Sequence, residues 1–115
     1  MDNELVSSAM EIILHAGDAR TKCKEALEAV ASFDLTVAHE RMAEAHSEIT
    51  RAHRVQTDAI QGEARGEELP YSLLFTHAQD TLMTINSEIV LAKQIISVFE
   101  AYDARLNALE NKLGS

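Results

Sequence analysis

Only two places in this chain are built to end a helix. Its 115 residues hold one Pro and four Gly, and the abundant Ala, Leu and Glu favour helix almost throughout. The first break is "ASFDL", where Asp34 suits an N-cap and Phe33 a staple residue just before it. The second is "GEARGEELPY", where Gly62 and Gly66 loosen one helix and Pro70 fits the first turn of the next. Helices are therefore expected at about 3–31, 35–64 and 70–112, with no strand alternation competing. Connections this short make successive helices antiparallel. The expected fold is all-α, an up-down-up three-helix bundle formed by residues 1–115 as a single domain.

The apolar positions say which faces are covered. In the first helix Val6, Ala9, Ile13, Ala16, Cys23, Leu27 and Val30 follow a three-four spacing broken only by Arg20. In the second, Leu35, Ala38, Met42, Ala45, Ile49, Ala52 and Ala59 do the same. The third carries two stripes. Leu74, Ala78, Ile85, Ile89, Ala92 and Ile96 form a face for packing on the first two helices. A second row runs through Leu73, His77, Asp80, Thr84, Ser87, Leu91, Ile95, Val98 and Tyr102, about 90° away by the 3.6-residue period. A helix that is apolar on two faces needs a second burial partner. Beyond residue 99 it outruns the others, and Phe99, Tyr102, Leu106, Leu109 and Leu113 continue a heptad that nothing in the chain covers. Self-association through the third helix answers both observations.

Charge and composition exclude several classes. A net charge of -9 with ten Lys and Arg spread thinly excludes a nucleic-acid partner, which needs clustered cations, and favours a basic protein partner instead. The lone Cys23 excludes an intramolecular disulfide, and "MDNELVSSAM" is acidic where a secretory signal is basic, so a cytoplasmic setting is expected. No uncharged run approaches the ~20 apolar residues that cross a bilayer.

One segment contradicts its own pattern. "SLLFTHAQDTLMTI", residues 72–85, has the spacing of a core helix yet carries His77 and Asp80 three residues apart. Ionisable groups are rarely buried without a partner, so this stretch either meets solvent through a gap or serves a purpose that outweighs its cost. His39, His46 and His53 recur every seven residues, but ~10.5 Å apart along a helix axis they cannot share a metal ion. They flank the core stripe, and His15 and Cys23 read as structural. Gln79 points away from His77 and reads as a surface or inter-subunit amide.

Three segments carry a resemblance. "ILHAGDAR" at 13–20, "AHRVQTDAIQ" at 52–61 and "LLFTHAQDTLM" at 73–83 fall one in each expected helix. Together they resemble enzyme IIA of the lactose/cellobiose/chitobiose class of the bacterial phosphoenolpyruvate-dependent sugar phosphotransferase system, over about residues 4–100. The resemblance implies a homotrimer whose third helices meet at the centre. It implies that His77 accepts a phosphoryl group from the histidine phosphocarrier protein and passes it to a cysteine of the IIB component. That transfer serves uptake of a β-linked disaccharide such as cellobiose, lactose or chitobiose, and the membrane is involved only through the IIC component. It also implies that Asp80 faces the three-fold axis and binds Mg²⁺ or another divalent cation there. Two departures stand out: Thr81 replaces a His often found after the Asp, and the tail from about 101 to 113 is longer than usual. The competing reading is a non-catalytic trimeric coiled-coil adaptor whose polar seam residues only set the number of chains.

Overall fold

The computed structural model describes residues 3–66 and 72–114. Three helices account for nearly all of them: α1 (Asn3–Ala31), α2 (Leu35–Ala64) and α3 (Leu73–Leu113). No strand occurs among the described residues. The helices run up-down-up, as expected, and α1 packs more extensively on α2 than on α3. The expected start of α3 at Pro70 lies outside the described residues, and the first helical residue described there is Leu73.

Caps explain where the helices begin. The Asp34 carboxylate accepts from the Val37 N–H at 3.1 Å, while its carbonyl accepts from the Ala38 N–H at 3.0 Å. One orphan donor of α2 is thereby satisfied by the side chain, and the carbonyl accepts the helix's first intrahelical bond. The α1–α2 turn is a Schellman pattern, with the Asp34 N–H donating to the Ala29 carbonyl and the Phe33 N–H to the Val30 carbonyl, both at 2.9 Å. Phe33 holds the left-handed position of that turn at φ 61, a conformation that costs a residue with a Cβ about 1–2 kcal/mol. Its ring lies 5.2 Å from that of Phe99, tilted by 53°, and such aromatic pairs contribute about 0.5–1.5 kcal/mol. The two magnitudes are comparable, so the contact offsets the strain. Phe33 thus reaches α3, beyond the staple role that its sequence position suggested, and Phe99 is covered after all.

The core is wholly apolar: no polar or charged side chain is buried among the described residues. In α1 it departs from the expected stripe. Leu5, Ala9, Ile12, Ala16, Ala19, Cys23, Ala26 and Val30 are buried, whereas Val6, Ile13 and Leu27 are half-buried at its edge. Ala9, Ala16, Cys23 and Val30 fit either phase, and Ala19 completes the row that Arg20 only seemed to interrupt. The α2 stripe holds from Ala38 to Ala52. In α3, Phe75 and Leu82 join Ala78, Ile85, Ile89, Ala92 and Ile96, while Leu74 stays half-buried. Nine of the twenty core residues are Ala, and side chains that small let helix backbones approach closely. By length and hydropathy alone α3 falls in the range of a membrane-crossing helix, but one of its apolar rows belongs to this core.

The Asp34 cap carries a direct expectation. Asp34→Ala should lower unfolding free energy by about 1 kcal/mol. Urea denaturation should show this as a reduced midpoint at unchanged slope.

Candidate functional site

Ser72 sets the start of the segment that holds His77 and Asp80. Its side chain accepts from the Phe75 N–H at 3.1 Å, and its carbonyl accepts from the Thr76 N–H and hydroxyl, both at 3.0 Å. His77 therefore lies in the second turn of α3, where the Thr81 hydroxyl donates to its backbone carbonyl at 2.9 Å. Two contacts fix the rotation of the helix here. Ala78 is buried, and the neighbouring Gln79 accepts a hydrogen bond from Gln56 Nε2 of α2 at 3.1 Å. The sequence expectation for Gln79 is thereby corrected: it is a half-buried amide that ties two helices of one chain, made so by Gln56 at the matching height. Sequence reading missed Gln56, although it lies inside the quoted "AHRVQTDAIQ" segment.

With that face turned inward, His77 and Asp80 are exposed. Among the described residues, neither side chain has a hydrogen-bond or ion-pair partner, and no bridge of 4 Å or less joins them. Both belong to a row of α3 that the chain leaves uncovered: Leu73, Leu91, Ile95, Val98, Tyr102, Leu106, Leu109 and Leu113 are between 48% and 87% exposed, and Thr84 and Ser87 are exposed between them. The gap invoked to explain an ionisable pair in a core-like segment is this whole face.

The other histidines are differently placed. His15 Nδ1 donates to Glu48 Oε2 at 2.8 Å, His39 Nε2 donates to Glu100 Oε2 at 3.0 Å, and His46 Nδ1 accepts from Lys93 Nζ at 3.3 Å. His53 is half-buried on α2. These contacts join helices, in keeping with structural roles. No group of three His, Cys, Asp or Glu able to hold a metal occurs among the described residues. A cation at Asp80 would need ligands from other copies.

A concavity lies between α1 and α3, lined by Cys23, Lys24, Leu27, Glu28 and Ala31 with Arg20 and Glu88 at its rim. At its rim Arg20 binds Glu88 through two hydrogen bonds of 2.9 and 2.8 Å. That bonding holds the Glu88 carboxyl below its usual range and the guanidinium above its own. Burial, and then the Glu88 charge, push the Cys23 thiol up. A thiol so shifted makes a poor nucleophile. His77, by contrast, is exposed.

Known proteins share this fold. The family model for the lactose/cellobiose-specific IIA subunit of the sugar phosphotransferase system matches residues 7–100. A lichenan-specific phosphotransferase enzyme IIA component of Bacillus subtilis is 38% identical over 100 residues, which span 87% of this chain and 91% of that protein. A lactose-specific component of Lactococcus lactis is 44% identical over 93 residues, 81% of this chain and 85% of its own. Among solved structures, the cellobiose-specific enzyme IIA of Bacillus anthracis superposes with a TM-score of 0.84 at 36% identity, covering 90% of this chain and 95% of that one. The chitobiose IIA of Escherichia coli, solved in complex with HPr, gives 0.76 at 30% identity over 89% of this chain and 99% of its own.

If the Gln56–Gln79 bond fixes the phase of α3, the two positions must be coupled. A double-mutant cycle with Gln56→Ala and Gln79→Ala should return a coupling of about 0.5–1.5 kcal/mol in urea unfolding. A coupling of zero would show that Ala78 and Leu82 suffice.

Proposed function

The chain belongs to the lactose/cellobiose-specific IIA family of the sugar phosphotransferase system, and on that premise we propose that His77 is its phosphoryl-carrying residue. The observation that carries the reading is the exposure of His77, with its imidazole unengaged among the described residues, on a helix whose phase is fixed from behind. The donor is the phosphohistidine of the histidine phosphocarrier protein, a partner supported by the complex in which the E. coli relative was solved. In the transfer the donor P–N bond breaks as a P–N bond to His77 forms. The accepting nitrogen must offer its lone pair, so the ring proton sits on the other nitrogen. Because the transition state is loose and its charge spread over the phosphoryl oxygens, positioning matters more than covalent chemistry. A flat, exposed site suits this, since each partner brings its own half of the site. His77 then passes the group to a cysteine of the IIB component, which serves uptake of a β-linked disaccharide such as cellobiose, lactose or chitobiose. On this reading the protein is cytoplasmic and meets the membrane only through the IIC component.

The same reading includes a homotrimer joined along the exposed row of α3. Leu91, Ile95 and Val98 supply apolar contact, and Thr84 and Ser87 select register. Asp80 lies on this row, so three copies of its carboxylate would converge on one axis. Burying each charge costs several kcal/mol, and their repulsion adds to it. The residues fit a cation only as a set of three chains, through carboxylate oxygens and a shell completed by water, which suits a hard divalent ion such as Mg²⁺. Asp80 is then a structural ligand, and the cation's contribution is neutralisation. The adaptor reading loses its ground, because the chain is a phosphotransferase component and an adaptor has no need of an unengaged imidazole.

Two experiments test this. Incubated with phosphoenolpyruvate, enzyme I and the phosphocarrier protein, the wild type should gain one phosphoryl group by intact mass, labile to acid and stable to base. His77→Gln should gain none, and a modified mutant would overturn the assignment. Removing divalent cations with a chelator should lower the wild-type melting temperature, by the equivalent of about 2.7 kcal/mol if free cation stood at 100 times Kd. Asp80→Leu should melt at or above the wild type and ignore the chelator, whereas an indifferent wild type would exclude the cation.

A further inference from the structure

The last thirteen helical residues of α3, 101–113, run past the rest of the bundle. The last pairings described between α3 and the other helices are Phe99 with Phe33 and Glu100 with His39. From there the helix projects by roughly 20 Å at 1.5 Å per residue. A segment so short holds a helix poorly by itself in water. Its apolar residues are Tyr102, Leu106, Leu109 and Leu113, spaced four, three and four apart, and they are 64%, 48%, 57% and 87% exposed. On a straight helix they keep to the side of Leu91, Ile95 and Val98, with the heptad phase shifted by the four-four step from Val98 through Tyr102 to Leu106. The match of the family model itself ends at residue 100.

The charges beside that row are sorted by side. At 100° per residue, Arg105 and Lys112 fall on one flank of the Tyr102–Leu113 stripe, while Asp103 and Glu110 fall on the other. With Leu106 and Leu113 in a positions and Tyr102 and Leu109 in d positions, the basic pair occupies g and the acidic pair e. In a parallel bundle each g flank faces the e flank of the next helix, and Arg105 meets Glu110 of the neighbouring copy five residues on. In an antiparallel pairing g faces g and e faces e, which sets Arg105 and Lys112 against their own kind. A foreign partner lying parallel would need the same sorting as well as the matching apolar row. A second copy of this chain already has both.

We propose that residues 101–113 are a pairing segment for other copies of this chain, zipped in parallel and in register into a stalk that prolongs the α3 seam beyond the bundle. The number of strands rests on the trimer reading given above. The parallel order follows from the three-fold axis of that reading and, independently, from the charge sorting. The stalk's chemistry is a layered apolar seam closed by one Arg105–Glu110 pair at each interface.

The test uses the full chain in two ways. In a Cys23→Ala background, a single cysteine is placed at Leu109 or, separately, at Leu91, and the protein is oxidised at low concentration. Disulfide-linked copies are expected from both. If Leu91→Cys links and Leu109→Cys does not, the tail proposal falls and the trimer reading stands. If Leu109→Cys links in an assembly whose sedimentation mass is not three chains, the trimer reading falls and the tail pairing stands. The second arm keeps Cys23 native and reverses charge. Arg105→Glu should raise the dissociation constant by roughly ten-fold, about two-fold at each of three interfaces. Arg105→Glu with Glu110→Arg should restore it. Residues 105 and 110 are five apart and do not face each other on one helix, so rescue can arise only between copies, and its failure would overturn the parallel pairing.

Discussion

α3 is apolar on two faces, and α1 with α2 can cover only one. This constraint organises the molecule. The covered face is settled by a core without a single buried polar side chain among the described residues, dense in Ala and filled at its widest by Ile12, Leu82, Ile85 and Ile89. Apart from the Cys23 thiol, the ionisable side chains described are thereby kept out of the core, including the two on the other face of α3. What would be a penalty in a closed domain becomes an opportunity here. An imidazole and a carboxylate can sit in an apolar row of α3 without being buried in the single chain.

The charged surface complements this division. Lys22, Glu25, Arg41 and Glu44 form a network across α1 and α2, with Lys22 3.1 Å from Glu44 and Arg41 2.9 Å from it. The hydrogen bond from Lys22 is the main cause that holds Glu44 below the ordinary carboxylate range, and the reciprocal bond raises Lys22. Exposed pairs of this kind add little stability. Their use is in register, because only one sliding position of α1 on α2 brings all four together. The Arg20–Glu88 bridge does the same for α1 on α3.

Much of this was legible in the sequence, and the exceptions have physical causes. Helix number, order and ends could be read because breakers are few and Asp34 is a strong cap. The α1 phase was misread because Ala9, Ala16, Cys23 and Val30 serve two adjacent rows, and Ala19 gives a weaker hydrophobic signal than Ile13 or Leu27. Ser72 escaped notice since Pro70 beside it is the louder signal. A left-handed Phe33 could not be foreseen, because that conformation is ordinarily left to Gly, and only the ring of Phe99, 66 residues on, makes it tolerable. His77 and Asp80 drew attention as polar breaks in an apolar period. The Gln56–Gln79 bond behind them did not, as two amides on different helices carry no periodic signature.

From Leu73 to Leu113 α3 contains neither Gly nor Pro, so it is one uninterrupted rod. In a rod of this kind angular phase is conserved: each residue added turns everything beyond it by about 100°. His77 near one end and Leu113 at the other are thus geared together, with the clamp of Phe33 and His39 on Phe99 and Glu100 acting as a bearing between them. Evolution can substitute surface residues along this shaft without disturbing that phase. It cannot insert or delete one between bearing and tip without turning the tip's apolar row away from the direction in which His77 points.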